Sequence, residues 1–267
     1  MKNRKVAAIL FVLALFASPL AAQEKKPLPP FIHNSGLLVH PKNPAVVYAS
    51  FWIYGVYKSE DYGKSWRPVN KGFKNTSVYN LVIHPRDPRI LYAGTHAGGV
   101  YKTIDGGGSW MEVNKGLTTG TIWDLAIEPQ RPQTLYALTS LGLFKTVDGG
   151  ERWTRLPGEL PGPPPDQQMT LFTVPSPFTI YLQNGGLLFR WMGETPASPS
   201  AWSPPLLKEV TTIRAKPFAY DANAVAIYAG TGNGLFKTTD GGAHWTLLST
   251  EPKLPSWIVL DPSHSEI

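Results

Sequence analysis

Four times along this chain the same eight-residue phrase returns, Ser/Thr-x-Asp-x-Gly-x-x-Trp, at residues 59–66, 103–110, 146–153 and 238–245. A phrase that returns at a regular interval dictates an architecture before any single residue indicates a chemistry, because each copy builds the same small unit and the units must stack to bury their apolar faces. The tryptophans of these phrases, Trp66, Trp110, Trp153 and Trp245, are separated by 44, 43 and 92 residues. The last interval is twice 46, so one copy has lost its phrase.

A second landmark gives the same period. Short apolar runs end at Pro41, Pro85, Pro129, Pro175, Pro217 and Pro262, at intervals of 44, 44, 46, 42 and 45. The run at 171–175 recovers the missing repeat, whose phrase has decayed into Phe189, Arg190 and Trp191 through to Ala201 and Trp202. Repeats of about 40–50 residues written as short strands predict propeller blades, each too small to bury its own apolar face. The expected fold is all-β, a β-propeller of four-stranded antiparallel blades. Five blades are visible, at about 35–69, 79–114, 122–157, 169–204 and 211–248, with the first strand of a sixth at 255–267. That surplus strand predicts a chain truncated at its C-terminus, since an unpaired edge invites association.

Repeat two is the clearest copy. Alternation over 79–84 predicts a first strand, Pro85 and Pro88 a turn, 90–94 and 100–103 two further strands, and then the phrase itself. Asp105 is placed to accept the backbone N–H groups of a tight hairpin, Gly107 to take a positive φ, and Trp110 to pack back over the turn. The same structural roles fall to Asp61, Gly63 and Trp66, to Asp148, Gly150 and Trp153, and to Asp240, Gly242 and Trp245.

The phrases at 59–66 and 238–245 resemble the Asp-box, or BNR, repeat, and the resemblance covers nearly the whole mature chain. Families that share it include sialidases, xyloglucanases, the sortilin luminal domain and the photosystem II stability/assembly factor. The resemblance implies a propeller with each box on the hairpin between the third and fourth strands, away from the ligand-binding face. It implies fold more firmly than activity.

Residues 1–22 carry Lys2, Arg4 and Lys5, an apolar run over 6–17 and a small-residue stretch, the form of a secretory signal. Twelve apolar residues fall short of the roughly 20 that span a bilayer, so no stable membrane span is expected after cleavage. Residues 23–34 read as a tether, and a secreted or periplasmic protein follows. Removing the signal lowers the net charge from +6 to +3, and with no basic run left a nucleic-acid partner is not expected. The absence of cysteine excludes disulfides and thiolate chemistry.

Strand order sends the first turns and the boxes to one end of each repeat, and the remaining loops to the other. On that second end fall the candidate binding residues Phe51, Trp52, Tyr54, Lys71, Lys74, Tyr79, His96, Trp123 and Arg214. Aromatic rings beside Asn, Thr and Lys suit stacking on a sugar or clamping a peptide. Asp124 is the best single candidate for a catalytic carboxylate, with Asp166 or Glu209 as partners for the two-carboxylate chemistry of glycosidases. The six histidines show no ligand spacing, and no cofactor or metal is expected. The expectation is an exported, non-catalytic propeller, scaffold- or assembly-factor-like, that binds a protein or carbohydrate partner; the alternative is a xyloglucanase- or sialidase-like glycoside hydrolase. Nothing in the sequence sets an oligomeric state.

Overall fold

A computed structural model describes residues 34–162, 169–175, 178–193, 202–208, 218–221 and 226–251. The signal, residues 23–33 of the tether, the strand predicted at 255–267, and Asp166, Glu209 and Arg214 lie outside the described residues.

Among the described residues all regular structure is β. Repeat one forms β1 (Asn34–Val39), β2 (Val47–Phe51), β3 (Gly55–Ser59) and β4 (Arg67–Pro68). Repeat two forms β5 (Val78–Ile83), β6 (Leu91–Thr95), β7 (Val100–Thr103) and β8 (Met111–Glu112). Repeat three forms β9 (Ile122–Ile127), β10 (Leu135–Thr139), β11 (Gly142–Thr146) and β12 (Thr154–Arg155). Repeat four supplies β13 (Thr170–Pro175), β14 (Phe178–Asn184) and β15 (Leu187–Arg190). Repeat five supplies β16 (Phe218–Asp221), β17 (Ala226–Thr231), β18 (Gly234–Thr238) and β19 (Thr246–Ser249). Each repeat is one sheet whose strands lie in chain order, four-stranded except for β13-β14-β15.

The described residues divide within the third sheet into two compact units, one drawn from 1–135 and 146–153, the other from 136–145 and 154–267. In the first unit the second strands β2 and β6 are buried at every position, as strands covered on both faces must be. The core joins repeats rather than filling one: Tyr48, Val56 and Val69 of repeat one pack with Val78, Leu81, Leu91, Tyr101 and Trp110 of repeat two. A single sheet this small has no interior, so the apolar burial that stabilises it, about 1.5–3 kcal/mol for each large side chain, comes from its neighbour.

Two departures from the sequence reading have local causes. β5 starts at Val78 rather than Tyr79, with a bulge between Val78 and Asn80, and β1 carries the same bulge between Asn34 and Gly36. Strict alternation would place Val78 and Leu81 on opposite faces; the extra residue of the bulge lets both enter the core. Asn34, assigned to the tether, is already in β1.

In repeat four no box hairpin is seen among the described residues, which leave out 194–201. Trp191 and Trp202 instead form an isolated bridge with their rings edge to face, 5.1 Å between centroids, and Leu188 bridges to Leu207.

Candidate functional site

The box turns share one hydrogen-bond pattern. In each, the Ser or Thr hydroxyl donates to the Asp carboxylate, at 2.8 Å for Ser59–Asp61, 2.6 Å for Thr103–Asp105, 2.6 Å for Thr146–Asp148 and 2.8 Å for Thr238–Asp240. The carboxylate also accepts the backbone N–H four residues on, from Ser65, Ser109, Arg152 and His244. These bonds hold the Asp105 carboxyl down at about 2, the Thr103 hydroxyl contributing most. Two consecutive residues take positive φ, Gly106 and Gly107 at 70° and 91°, and in the first box Tyr62 and Gly63 at 63° and 83°.

The boxes also join repeats. Trp66 follows the expectation and bonds back to Gly63 of its own turn, at 2.9 Å. Trp110 and Trp153 do not: their indole N–H groups donate to the carbonyls of Val69 and Val113, in the preceding repeat, at 2.8 and 2.7 Å. In the reverse direction the buried hydroxyls of Tyr48 and Tyr92 donate to the carbonyls of Gly106 and Gly149 in the following box, each at 3.0 Å. In the second unit Tyr181 and Arg190 both donate to the carbonyl of Gly241, at 3.2 Å. There the indole nitrogen of Trp245 has no partner among the described residues, and Trp245, like Leu206 and Leu207 after the decayed phrase, packs against the cluster of Val174, Tyr181, Leu188, Ile227 and Ala229.

At the opposite end, the β2–β3 loop turns on Ile53, which takes φ 57° while the N–H of Tyr54 donates to the carbonyl of Trp52 at 2.7 Å. A β-branched residue in this tight γ-turn is strained by about 1–3 kcal/mol. Trp52 precedes this turn. Its indole lies edge-on to Tyr79, 4.8 Å between centroids, and stacks on His96 at 5.6 Å. The Tyr79 hydroxyl lies 3.3 Å from His96 Nδ1.

Beside this cluster is a cleft of about 560 Å³. Its walls are the loop after β4, with Lys74 and Asn75, the β6–β7 loop from Ala97 to Gly99, and the loop after β8, with Asn114 and Thr118–Gly120. The loops are cross-braced. Asn75 Nδ2 donates to the His96 carbonyl at 2.6 Å, and Asn114 accepts the N–H of Val100 at 2.7 Å while donating to Gly98 at 3.0 Å. Tyr101 and Glu112 complete the lining. Lys74 Nζ pairs with Glu112 Oε1 at 3.0 Å, and the Tyr101 hydroxyl donates to the same oxygen at 3.1 Å. These two partners hold the Glu112 carboxyl below the usual range, Lys74 more strongly.

Of the residues predicted for this face, the structure thus brings Trp52, Tyr79 and His96 together and places Lys74 in the cleft. Phe51 is corrected: it is the last residue of β2, 8% exposed and packed edge-on against Tyr57, and it presents no ring to a ligand. Tyr54 and Lys71 are structural through their backbones, the Tyr54 carbonyl accepting from Asn70 at 2.9 Å and the Lys71 carbonyl from the N–H of Trp110 at 2.8 Å. Trp123 is half-buried on β9. Asp124 is 3% exposed, accepts from the Asn80 amide and from the N–H of Leu125, and does not line the cleft. Tyr101 was missed because it lies on a strand that reads as blade core, and Glu112 and Asn114 because they follow the box, past the last strand the alternation marks.

The histidines at equivalent places, His40 and His84, brace first turns. Nδ1 of His84 accepts the N–H groups of Arg86 and Asp87 at 3.3 and 2.9 Å, and Nδ1 of His40 those of Lys42 and Asn43.

Residues 54–169 match the Sortilin-Vps10 family (Sortilin, neurotensin receptor 3). The chain carries Asp-box repeats. No curated protein sequence matches it. Among solved structures, the Asp-box chain is similar to the GH74 enzyme of Niastella koreensis, with TM-score 0.58 and 19% identity over 80% of this chain and 38% of that one. It is similar also to the GH74 xyloglucanase from Xanthomonas campestris, with TM-score 0.58 and 16% identity over 80% of this chain and 38% of that one. An auxiliary nutrient binding protein from Bacteroides thetaiotaomicron gives TM-score 0.54 and 13% identity over 78% of this chain and 55% of that one. The Asp-box chain spans 38% of the length of the two GH74 proteins, and at these identities the likeness is one of fold.

Proposed function

We propose that the five sheets are blades of a β-propeller, and that the chain is an exported, non-catalytic module binding a protein or glycan partner through the loop face of repeats one and two. Sheets whose strands follow chain order, box-to-strand bonds from repeat one to two, two to three and four to five, and the likeness of fold to GH74 proteins support the propeller. The basic-then-apolar form of residues 1–22 supports export.

One observation carries the binding reading. Among the described residues the cleft offers a single carboxylate, Glu112, and Lys74 and Tyr101 already hold it. Hydrolysis of a glycosidic bond by paired carboxylates needs two, about 5–9.5 Å apart across the substrate. The four box carboxylates are bonded within their own turns, and Asp124 is buried against Asn80.

The test has two arms. The mature protein is incubated with a panel of polysaccharides and sialosides, and turnover of any of them would overturn the non-catalytic reading, with Asp124→Asn deciding whether that carboxylate takes part. Capture from a periplasmic extract and binding to a glycan array are then compared for the wild type and Thr118→Trp, which fills the cleft. Loss of a bound partner in the variant is the expected result; partners retained in full would move the site elsewhere.

A further inference from the structure

We infer that the ligand of this face is a neutral oligosaccharide, held in the cleft by hydroxyl groups and stacked at one end on Trp52. The inference rests on the binding reading above and names its ligand.

Charge selects first. Among the described residues the two charged groups of the cleft, Lys74 and Glu112, pair with each other, so this lining offers no uncompensated charge to draw a polyanion or polycation. Apolar burial selects next. Among the described residues the aliphatic side chains of the lining are Ala97 and Leu117, and its one ring, Tyr101, is buried with its hydroxyl on Glu112, too little to build the desolvated pockets in which a peptide anchors its aromatic or aliphatic residues. What remains is polar and uncharged. The amides of Asn75 and Asn114 are occupied in bracing the loops, which leaves the hydroxyl of Thr118, that of Thr119, whose oxygen accepts the N–H of Thr121 at 3.4 Å and whose proton can still be donated, and the Lys74–Glu112–Tyr101 group in the lining. A ligand that both donates and accepts at every ring position fits such a lining.

The volume of about 560 Å³ lies within the range of small-molecule sites, about 300–1,000 Å³. The aromatic cluster continues the cleft, because Asn75 and Ala97 of its wall flank His96. Trp52 is half-buried, edge-on to Tyr79 and stacked on His96, and a ring already restrained by two neighbours loses little freedom when a sugar covers what is left of it. No bond is made or broken in this proposal.

The experiment titrates the mature protein calorimetrically with cellohexaose, xylohexaose and mannohexaose, and with an oligogalacturonate as the charged comparator. Titrations run at about 0.1 M and about 1 M salt, where screening lengths fall from about 10 Å to about 3 Å. At least one neutral hexasaccharide binds with an affinity that salt leaves unchanged, and Trp52→Ala and Thr118→Trp each weaken it at least tenfold. Binding of the oligogalacturonate alone, binding that fades with salt, or binding that both variants leave intact would overturn the inference. A photo-crosslinker at Thr119, used in periplasmic extract, separates the two levels. A protein crosslink lost in Thr118→Trp with no sugar bound rejects the oligosaccharide and retains the binding face; neither sugar nor crosslink rejects both.

Discussion

The indole N–H of Trp110 donates to the carbonyl oxygen of Val69, 41 residues earlier in the chain, at 2.8 Å. This one bond ties a turn of repeat two to the end of β4, and Trp153 repeats it on Val113. Trp110→Phe keeps a ring in the core but orphans a buried carbonyl, which costs about 1–3 kcal/mol. Trp66 bonds within its own turn and is only half-buried, so Trp66→Phe is expected to cost less. Urea unfolding of the two variants checks this, and equal losses would deny the tryptophan its part in joining repeats.

Gly72 and Gly36 make a matched pair of tests. A Cβ at Gly72 would lie 2.0 Å from the carbonyl oxygen of Trp110, at φ +97°, whereas at Gly36 the nearest atom is Ser50 Oγ at 3.8 Å. Gly72→Ala therefore combines left-handed strain with a clash against backbone and is expected to destabilise by more than about 1 kcal/mol. Gly36→Ala is expected to be near neutral. Thermal melts of both variants decide it, and a harmless Gly72→Ala would show that the junction yields.

Acid sensitivity follows from the boxes. The Asp105 carboxyl is held near 2 against an ordinary 3.8, chiefly by the Thr103 hydroxyl and then by the N–H of Ser109. A depressed carboxyl contributes stability that is present above the ordinary value and is lost as pH falls through the folded one. Melting temperature should therefore drop between about pH 4 and pH 2, and drop less steeply in Asp105→Asn, which starts lower. Parallel curves would place the acid-labile groups elsewhere.

His84 works in a higher window. Burial holds its imidazole below the ordinary 6.5, with Asp87 opposing and Arg86 and Lys102 adding to the effect. Nδ1 accepts two backbone N–H groups, so a proton there would break the turn. The unfolded chain binds the proton first, and the stabilising contribution is lost as pH falls below 6.5 toward the folded value. His40 is lowered in the same direction, again by burial first. The double variant His40→Gln, His84→Gln is expected to flatten the stability curve between about pH 7 and pH 5. An unchanged slope would remove the histidines from the account.

Much of the local structure was legible because its causes are local. Box hydrogen bonds span two to four residues, as in Thr103–Asp105 and Asp105–Ser109, and the left-handed pair Gly106–Gly107 depends on residue type alone. Strand positions followed from the same spacing, to within the one residue that the bulges in β1 and β5 insert. A further periodic signal went unread: Val69-Asn70-Lys71-Gly72 and Val113-Asn114-Lys115-Gly116 lie 44 residues apart and receive the next tryptophans.

By itself, then, the sequence determined the repeat, its β character and the turn in each box, since these depend on neighbours along the chain. The tertiary structure alone decided which partner each buried donor found, why Phe51 packs on Tyr57 while Trp52 meets Tyr79 and His96, and that Lys74, Tyr101 and Glu112 line one cleft. Those contacts join residues from separate loops and repeats, and their geometry exists only once one sheet is packed against the next.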